Sequence, residues 1–300
     1  MVEQRNGPAV EFVSVICWDG SFRENFDAVR CALTQTLPED RYEVIFVEYF
    51  EQADPQVLAL LEGRENVSAI ALGNPHPGRE NEHIIGACVN EGLRRARGDL
   101  IVIPDADVIF EDDFLEEVVR QHERVDELAL YFYRMDEAPT DRPVPRTIEE
   151  LERVGRLRYP ENYGGCLTVR KKWLEAINGY EEDRLWRGYS SVDQDTARRL
   201  KALGLCIKWH PSKFVYHGHH PGCHAPDARS LRRTRRQREI FSERERALET
   251  LPTRGLDPSR RSEREYERLD RGWLKEKLRD LVHAALPRSV RRRIVRFLSD

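Results

Sequence analysis

The chain has 300 residues, 40% hydrophobic and 34% charged, enough for one sizeable core plus an appendage. No apolar run approaches the roughly 18 residues of a membrane span, and the opening MVEQRNGPAV has no apolar signal region, so a cytoplasmic protein is expected. The net charge of −4 hides an asymmetry: residues 229–300 carry 22 Lys/Arg against 12 Asp/Glu, a surplus of 10 positive charges that leaves the preceding body at −14.

In chain order, EFVSVIC (11–17) reads as a strand broken by Trp18, Asp19, Gly20 and Ser21. Phe26, Val29, Ala32 and Leu33 then recur at helical spacing within 23–37, and Pro38 ends that helix. A second strand over 42–47 leads into Glu48, a helix follows over 55–61, and 67–72 is a third strand. The string GNPHPGRENEHIIG is loop-like; residues 84–97 read as a helix closed by Gly98. Strands alternating with helices over short connections predict a mostly parallel sheet covered on both faces, with four βα units ahead of LIVIPDADVIF (100–110). Beyond it come a helix over 114–124, a strand over 128–133, and a Pro- and charge-rich excursion from Asp136 toward Tyr163. A strand over 163–169, a helix over 191–203 stopped by Gly204, and two short strands over 206–209 and 214–216 complete a domain placed at 10–225. Residues 226–300 form an Arg-rich helical extension. Six cysteines without C-x-x-C spacing read as small buried hydrophobes.

The chemistry gathers around residues 100–110. Four apolar residues end in Asp105 and Asp107, one residue apart, at the carboxyl end of a doubly buried strand, where open α/β sheets bind ligands. Two acids projecting from one side repel unless a cation lies between or beyond them, and a hard divalent ion carrying diphosphate oxygens is the natural candidate; an acidic turn is the plain alternative. Glu48 closes the second strand, where it could accept the imide N–H of a uracil ring or simply be solvated. Gly164 and Gly165 allow backbone to approach a ligand or to turn tightly. Asp193 and Asp195 fall in the first turn of a helix, where the dipole alone favours acids. His217, His219, His220, Cys223 and His224 offer five N or S groups in eight residues, which would also suit zinc, although one short loop rarely wraps that ion.

The order of these stretches resembles the family 2 glycosyltransferases and their relatives of the GT-A fold, over roughly residues 10–225. The matching pieces are VSVICWDGS, VIFVEYFEQAD, NEGLRRARGDLIVIPDADVIFEDDFLE, YGGCLTVRKKWLEAINGYEED and SVDQDTARRLKALG. The resemblance implies a Rossmann-like α/β fold and a DxD motif in Asp105-Ala106-Asp107, with Asp107 and His217 as metal ligands, Mn²⁺ before Mg²⁺. It also implies that Cys17, Trp18, Glu48, Asn90, Asp105 and Gly165 line a nucleotide-sugar, and that Asp193 is the base that deprotonates the acceptor hydroxyl. Two positions depart from the family pattern: Val192 replaces the first member of its Glu-Asp pair, and Val89 replaces a basic residue, leaving phosphate contact to Arg79, His83 or the metal.

The reaction expected is therefore an inverting sugar transfer, from a UDP-sugar by first preference, to a glycan or lipid-linked hydroxyl. A non-catalytic relative and a nucleotidyltransferase are the alternatives, although CWDGSFREN lacks the Gly-rich basic phosphate loop that the latter needs. Nucleic acid is not an expected partner, because the body is acidic and the tail's apolar residues fall at helical spacing. Trp273, Leu274, Leu278 and Leu281, and after Pro287 Val290, Ile294 and Phe297, line helical faces among arginines, so residues 271–300 are expected to contact an anionic membrane peripherally at its inner face.

Overall fold

Alternate residues of the apolar runs supply two cores, one on each face of a single sheet. The computed structural model describes residues 7–19, 26–75, 83–138, 147–157, 162–186, 191–219, 237, 251–252 and 254–261. Its elements are β1 (Val13–Asp19), α1 (Asp27–Ala32), β2 (Tyr42–Glu48), α2 (Pro55–Leu61), β3 (Val67–Ala71), α3 (Ile85–Arg95), β4 (Leu100–Pro104) and β5 (Val108–Ile109). They continue with α4 (Phe114–Arg124), β6 (Leu128–Asp136), α5 (Ile148–Val154), β7 (Arg156–Leu157), β8 (Cys166–Arg170), α6 (Lys171–Ala176), α7 (Val192–Leu203) and β9 (Cys206–His217). Val13, Val15, Val44, Phe46, Leu100 and Val102 face α1, α2 and α4. Ile16, Ile45, Val47, Ile101 and Ile103 face α3, α6 and α7. This is the period-2 alternation of strands buried on both sides.

Among the described residues the sheet runs β3-β2-β1-β4-β8-β6-β9-β5, with β7 paired to β6. The first four strands are mutually parallel, and three βα units, not four, precede β4. β8 then enters antiparallel between β4 and β6, so the sheet is mixed beyond its centre. The two short strands expected over 206–216 are one strand, β9, whose pairing with β6 is irregular between Tyr131 and Tyr133. His210 Nδ1 accepts there from the amides of Ser212 and Lys213, which closes the bulge seen in the sequence as a break.

Local chemistry explains the helix ends. Asp54 accepts from the Gln56 amide at 2.7 Å, with Pro55 in the first turn. Gly204 closes α7 in the left-handed region at φ 107°. Gly98 does not cap α3 in that way: its amide donates to Ser14 Oγ at 2.8 Å, and a Cβ there would press on the Ser14 amide. Ser14 Oγ in turn donates to Glu43, which also accepts from Arg97, stitching β1 and β2 to the turn before β4. The excursion between β6 and β8 holds α5, whose Thr147 and Glu150 form a reciprocal capping box.

One buried titratable group sets a pH limit on this fold. His122 of α4 is fully buried, with Nε2 2.9 Å from Thr168 Oγ1, and burial followed by the Arg170 charge holds its pKa down to about 3. An unfolded histidine titrates near about 6.5. The unfolded chain thus takes up the proton first, so this contribution is complete above about pH 6.5 and is lost as pH falls toward 3. Urea unfolding at pH 7 and 4.5 should show the wild type losing about 2–3 kcal/mol more than His122→Gln. Equal losses would exclude His122 as the sensitive group.

Candidate active site

β4 is buried along its whole length and ends in the turn that carries Asp105 and Asp107, both half-buried. Asp105 is clasped by the residue at the head of β8: its amide donates to the Gly165 carbonyl at 2.8 Å, and its Oδ2 accepts from the Gly165 amide at 2.9 Å. Gly165 needs its φ of 109°, which side chains other than glycine rarely adopt. β5 then pairs Val108 with His217, which brings the end of β9 beside the acid pair and leaves His217 Nε2 3.2 Å from Asp107 Oδ2.

Two further residues complete this cluster: Arg134, and Asp136, which ends β6 rather than opening the irregular excursion. Arg134 and Asp136 are two apart on β6 and so share a face. Arg134 Nε donates to Asp136 at 2.8 Å, and its NH1 lies 3.4 Å from Asp105 Oδ2. Asp136 in turn is 3.7 Å from His217 Nδ1. A guanidinium therefore sits within an acid cluster drawn from β4, β6 and β9. Burial, then Asp107, push the Asp105 carboxyl up, while Arg134, the Gly165 amide and His217 pull it back.

Asp193 and Asp195 have different surroundings. Asp195 is fully buried and accepts from Arg199 Nε at 2.9 Å; Arg199 NH1 also donates to the carbonyls of Ile177 and Gly179. It is a structural ion pair tying α7 to the loop after α6. Asp193, half-buried, lies within electrostatic reach of Asp105, Tyr131 and Tyr180, and burial followed by Asp105 pushes its carboxyl well up.

Asn90 is not presented to a ligand. It is fully buried in α3, its Nδ2 donating to the Tyr180 carbonyl and Glu182, its Oδ1 accepting from the Tyr180 amide. It fixes the loop that leads toward Asp193. A segment beyond the expected domain boundary reinforces that loop. The Leu256 and Asp257 amides donate to Asn178 O and Oδ1, Asn178 Nδ2 donates to the carbonyls of Asp257 and Arg260, and Leu256 packs on the core.

The nucleotide-binding residues expected at the ends of β1 and β2 are close together. Cys17 is buried in the core, so any contact from it comes through backbone. Trp18 is half-buried and stacks on His83 at 5.5 Å. Glu48 is fully buried opposite Asp19 in the β1–β2 register and accepts from the Phe50 amide at 2.9 Å. Burial lowers His83 to about 4, so it is neutral at pH 7 and offers no cation for phosphate. Arg79 lies outside the described residues. Of the histidine-rich loop, His219 is described, with its amide donating to Glu137, whereas His220, Cys223 and His224 are not. Among the described residues no group of three or more His, Cys, Asp or Glu is gathered to hold an ion.

Residues 78–177 match the family model described as Glycosyl transferase family 2, and residues 147–221 match that described as N-terminal domain of galactosyltransferase. No curated protein matches the sequence. Among solved structures, the fold is similar to a mannosyltransferase from Pyrobaculum calidifontis in complex with GDP-Man and Mn²⁺, at 17% identity and a TM-score of 0.53 over 74% of this chain and 61% of that one. It is also similar to TarS residues 1–349 of S. aureus in complex with UDP, at 15% identity and a TM-score of 0.54 over 79% of this chain and 68% of that one. The chain thus spans about two thirds or less of these relatives' length.

Proposed function

We propose, from the match of residues 78–177 to the family 2 glycosyltransferase model and the likeness of the fold to solved glycosyltransferases, that the chain transfers a sugar, with inversion, from a nucleoside diphosphate sugar to an acceptor hydroxyl. The observation that carries this is the convergence of Asp105, Asp107 and His217 at the end of β4, with Asp193 in electrostatic reach from α7. Asp193 takes the proton of the acceptor hydroxyl as that oxygen attacks the anomeric carbon and the diphosphate leaves from the opposite side. A UDP-sugar is the first donor to test, with Trp18 beside the base and Glu48 at its imide edge.

The residues present fit a divalent ion. Asp107 Oδ2 and His217 Nε2 are 3.2 Å apart, a separation at which both can contact one cation, and Asp136 lies 3.7 Å from His217 Nδ1. A carboxylate paired with an imidazole suits Mn²⁺ better than Mg²⁺. Such an ion would supply Lewis acidity to the departing diphosphate. Arg134 adds a fixed positive charge in the same cluster, whereas position 89 holds a valine.

Thermal unfolding with a panel of nucleotide sugars and Mn²⁺ tests donor binding, since a ligand of the folded state raises stability by mass action. Release of free nucleoside diphosphate that depends on acceptor tests transfer. Stabilisation by none of the panel, with no release, overturns the proposal.

The membrane contact belongs to the same proposal, because residues 271–300 lie outside the described residues. No helix among the described residues is long and apolar enough to cross a membrane. The full chain should co-sediment with anionic but not neutral liposomes, in a salt-sensitive manner, and a truncation ending after Arg261 should not. Truncating at Leu256 would instead cut into the segment held by Asn178. Equal behaviour of the two chains would rule out a membrane role for the tail.

A further inference from the structure

The odd-numbered residues of β9 face one core before its irregular stretch and the other core after it. Between the pairs Tyr131–Trp209 and Tyr133–Phe214, β6 advances two residues while β9 advances five, so β9 carries three extra. An odd insertion exchanges the two faces of a strand, whereas an even one preserves them. The side chains record the exchange. Ile207 and Trp209 pack on the core that holds Tyr131, yet Val215 is buried with Val108, Leu130 and Phe132 on the opposite side. His217 follows Val215 by two and pairs with both Val108 and Asp136, so it lies on that second side as well. In an uninterrupted ladder its side chain would point to the other face, away from Asp107.

Two side chains hold the extra residues. His210 is buried and stacks on Phe132 at 5.7 Å, and its Nδ1 accepts from the amides of Ser212 at 3.2 Å and Lys213 at 2.8 Å. With Nδ1 accepting, Nε2 carries the ring proton and donates it to Glu117 of α4 at 2.7 Å. Burial opposes the charge of Glu117, but bonds from Gln121, Arg120 and His210 hold its carboxyl down to about 2, so near neutral pH an anion fixes the tautomer. At the far end of the insertion, Lys213 Nζ donates to Asp113 at 2.7 Å and to Glu111. Glu111 lies two residues past β5, whose pairing with β9 sets His217 beside Asp107.

We infer that His210 and Lys213 are positioning residues, which hold the three-residue insertion that turns His217 onto the face of Asp107. The inference rests on His217 as a metal ligand. Neither residue touches the ion or the sugar; both act through the strand. Supports of this kind are worth about 10–100-fold in metal affinity.

Two substitutions at one position separate aiming from bulk. His210→Asn keeps an acceptor for the amides two and three residues on, but falls short of Glu117. His210→Gln keeps a donor in reach of Glu117 and lacks that acceptor. Both lose the stack on Phe132, so a general loosening would treat them alike. Titration of the full chain with Mn²⁺ alone, read by the electron paramagnetic resonance of the free ion, should show His210→Gln binding about tenfold more weakly and His210→Asn within about threefold of wild type. In a His217→Ala background His210→Gln should weaken binding no further, because the side chain it aims is gone; an equal loss there would mark general loosening and overturn the inference. Lys213→Met keeps the amide and removes only the outer bonds. It should lose about threefold, although removing a positive charge by itself favours a cation, and it decides the matter should His210→Gln not fold. With no ion present, Asp107→Asn should shift the His217 ring resonances in NMR spectra of the wild type and of His210→Asn, but not of His210→Gln. That pattern without Mn²⁺ binding by the wild type supports the positioning role and removes the metal reading alone. Mn²⁺ binding that is equal in the wild type, His210→Gln and Lys213→Met overturns the positioning role and leaves the metal site standing.

Discussion

Asp193→Asn is expected to lower acceptor-dependent nucleotide release by at least about 100-fold, the scale of general-base catalysis, while nucleotide-sugar binding stays within a factor of about two. The amide keeps the volume and polarity of the side chain at the start of α7 and loses only the ability to take a proton. The neighbouring acid offers no substitute. Asp195 is sealed in its ion pair with Arg199, and moving it would leave Arg199, which also donates to the carbonyls of Ile177 and Gly179, without its carboxylate. Steady-state kinetics over a range of acceptor concentrations, with donor affinity measured separately, makes the check. Wild-type turnover in this variant would remove Asp193 from the mechanism.

Asp107→Ala is expected to abolish Mn²⁺-dependent donor binding and, with it, detectable transfer. The fold should survive. Asp107 is half-buried, and its neighbour Asp105 stays anchored by the Gly165 amide and Arg134 without it. Removing one of two repelling carboxylates costs the metal-free protein little, and its unfolding free energy should change by less than about 1 kcal/mol. Calorimetric titration of donor with and without Mn²⁺, paired with urea unfolding of the metal-free variant, separates the two effects. Unaltered metal-dependent binding would refute the assignment of Asp107 as a ligand.

What the sequence revealed about this site follows from how local each signal is. The strand under Asp105 and Asp107 is legible because its burial is written in a continuous apolar run, and α7 because its apolar period ends at a glycine. The membership of Arg134 and Asp136 is not legible. An R-x-D pair two apart in a strand signals only a shared face, and what that face meets depends on the pairing of β6 with β9, some 80 residues later. The bonds of Asn90 are hidden for the same reason, since its partners at Tyr180 and Glu182 are 90 and 92 residues away. Asp195 could have been sorted from Asp193 beforehand. Two acids two apart on a helix point to different sides, and an arginine four residues on, Arg199, marks which one is paired. The capping box at Thr147 and Glu150 is a local signal too, set just after a proline-rich stretch that itself signals irregular chain.

The clasp between Asn178 and residues 256–260 bears on how the protein is made. Chains emerge from the ribosome N-terminal end first, and the sheet with its acid pair can assemble from residues up to 217. The loop ahead of Asp193 receives its last hydrogen bonds only when a stretch about 80 residues downstream has been synthesised. A nascent chain, or one clipped by a protease before residue 254, would have its sheet and acid pair in place while the loop at Asn178, ahead of Asp193, still lacked these bonds.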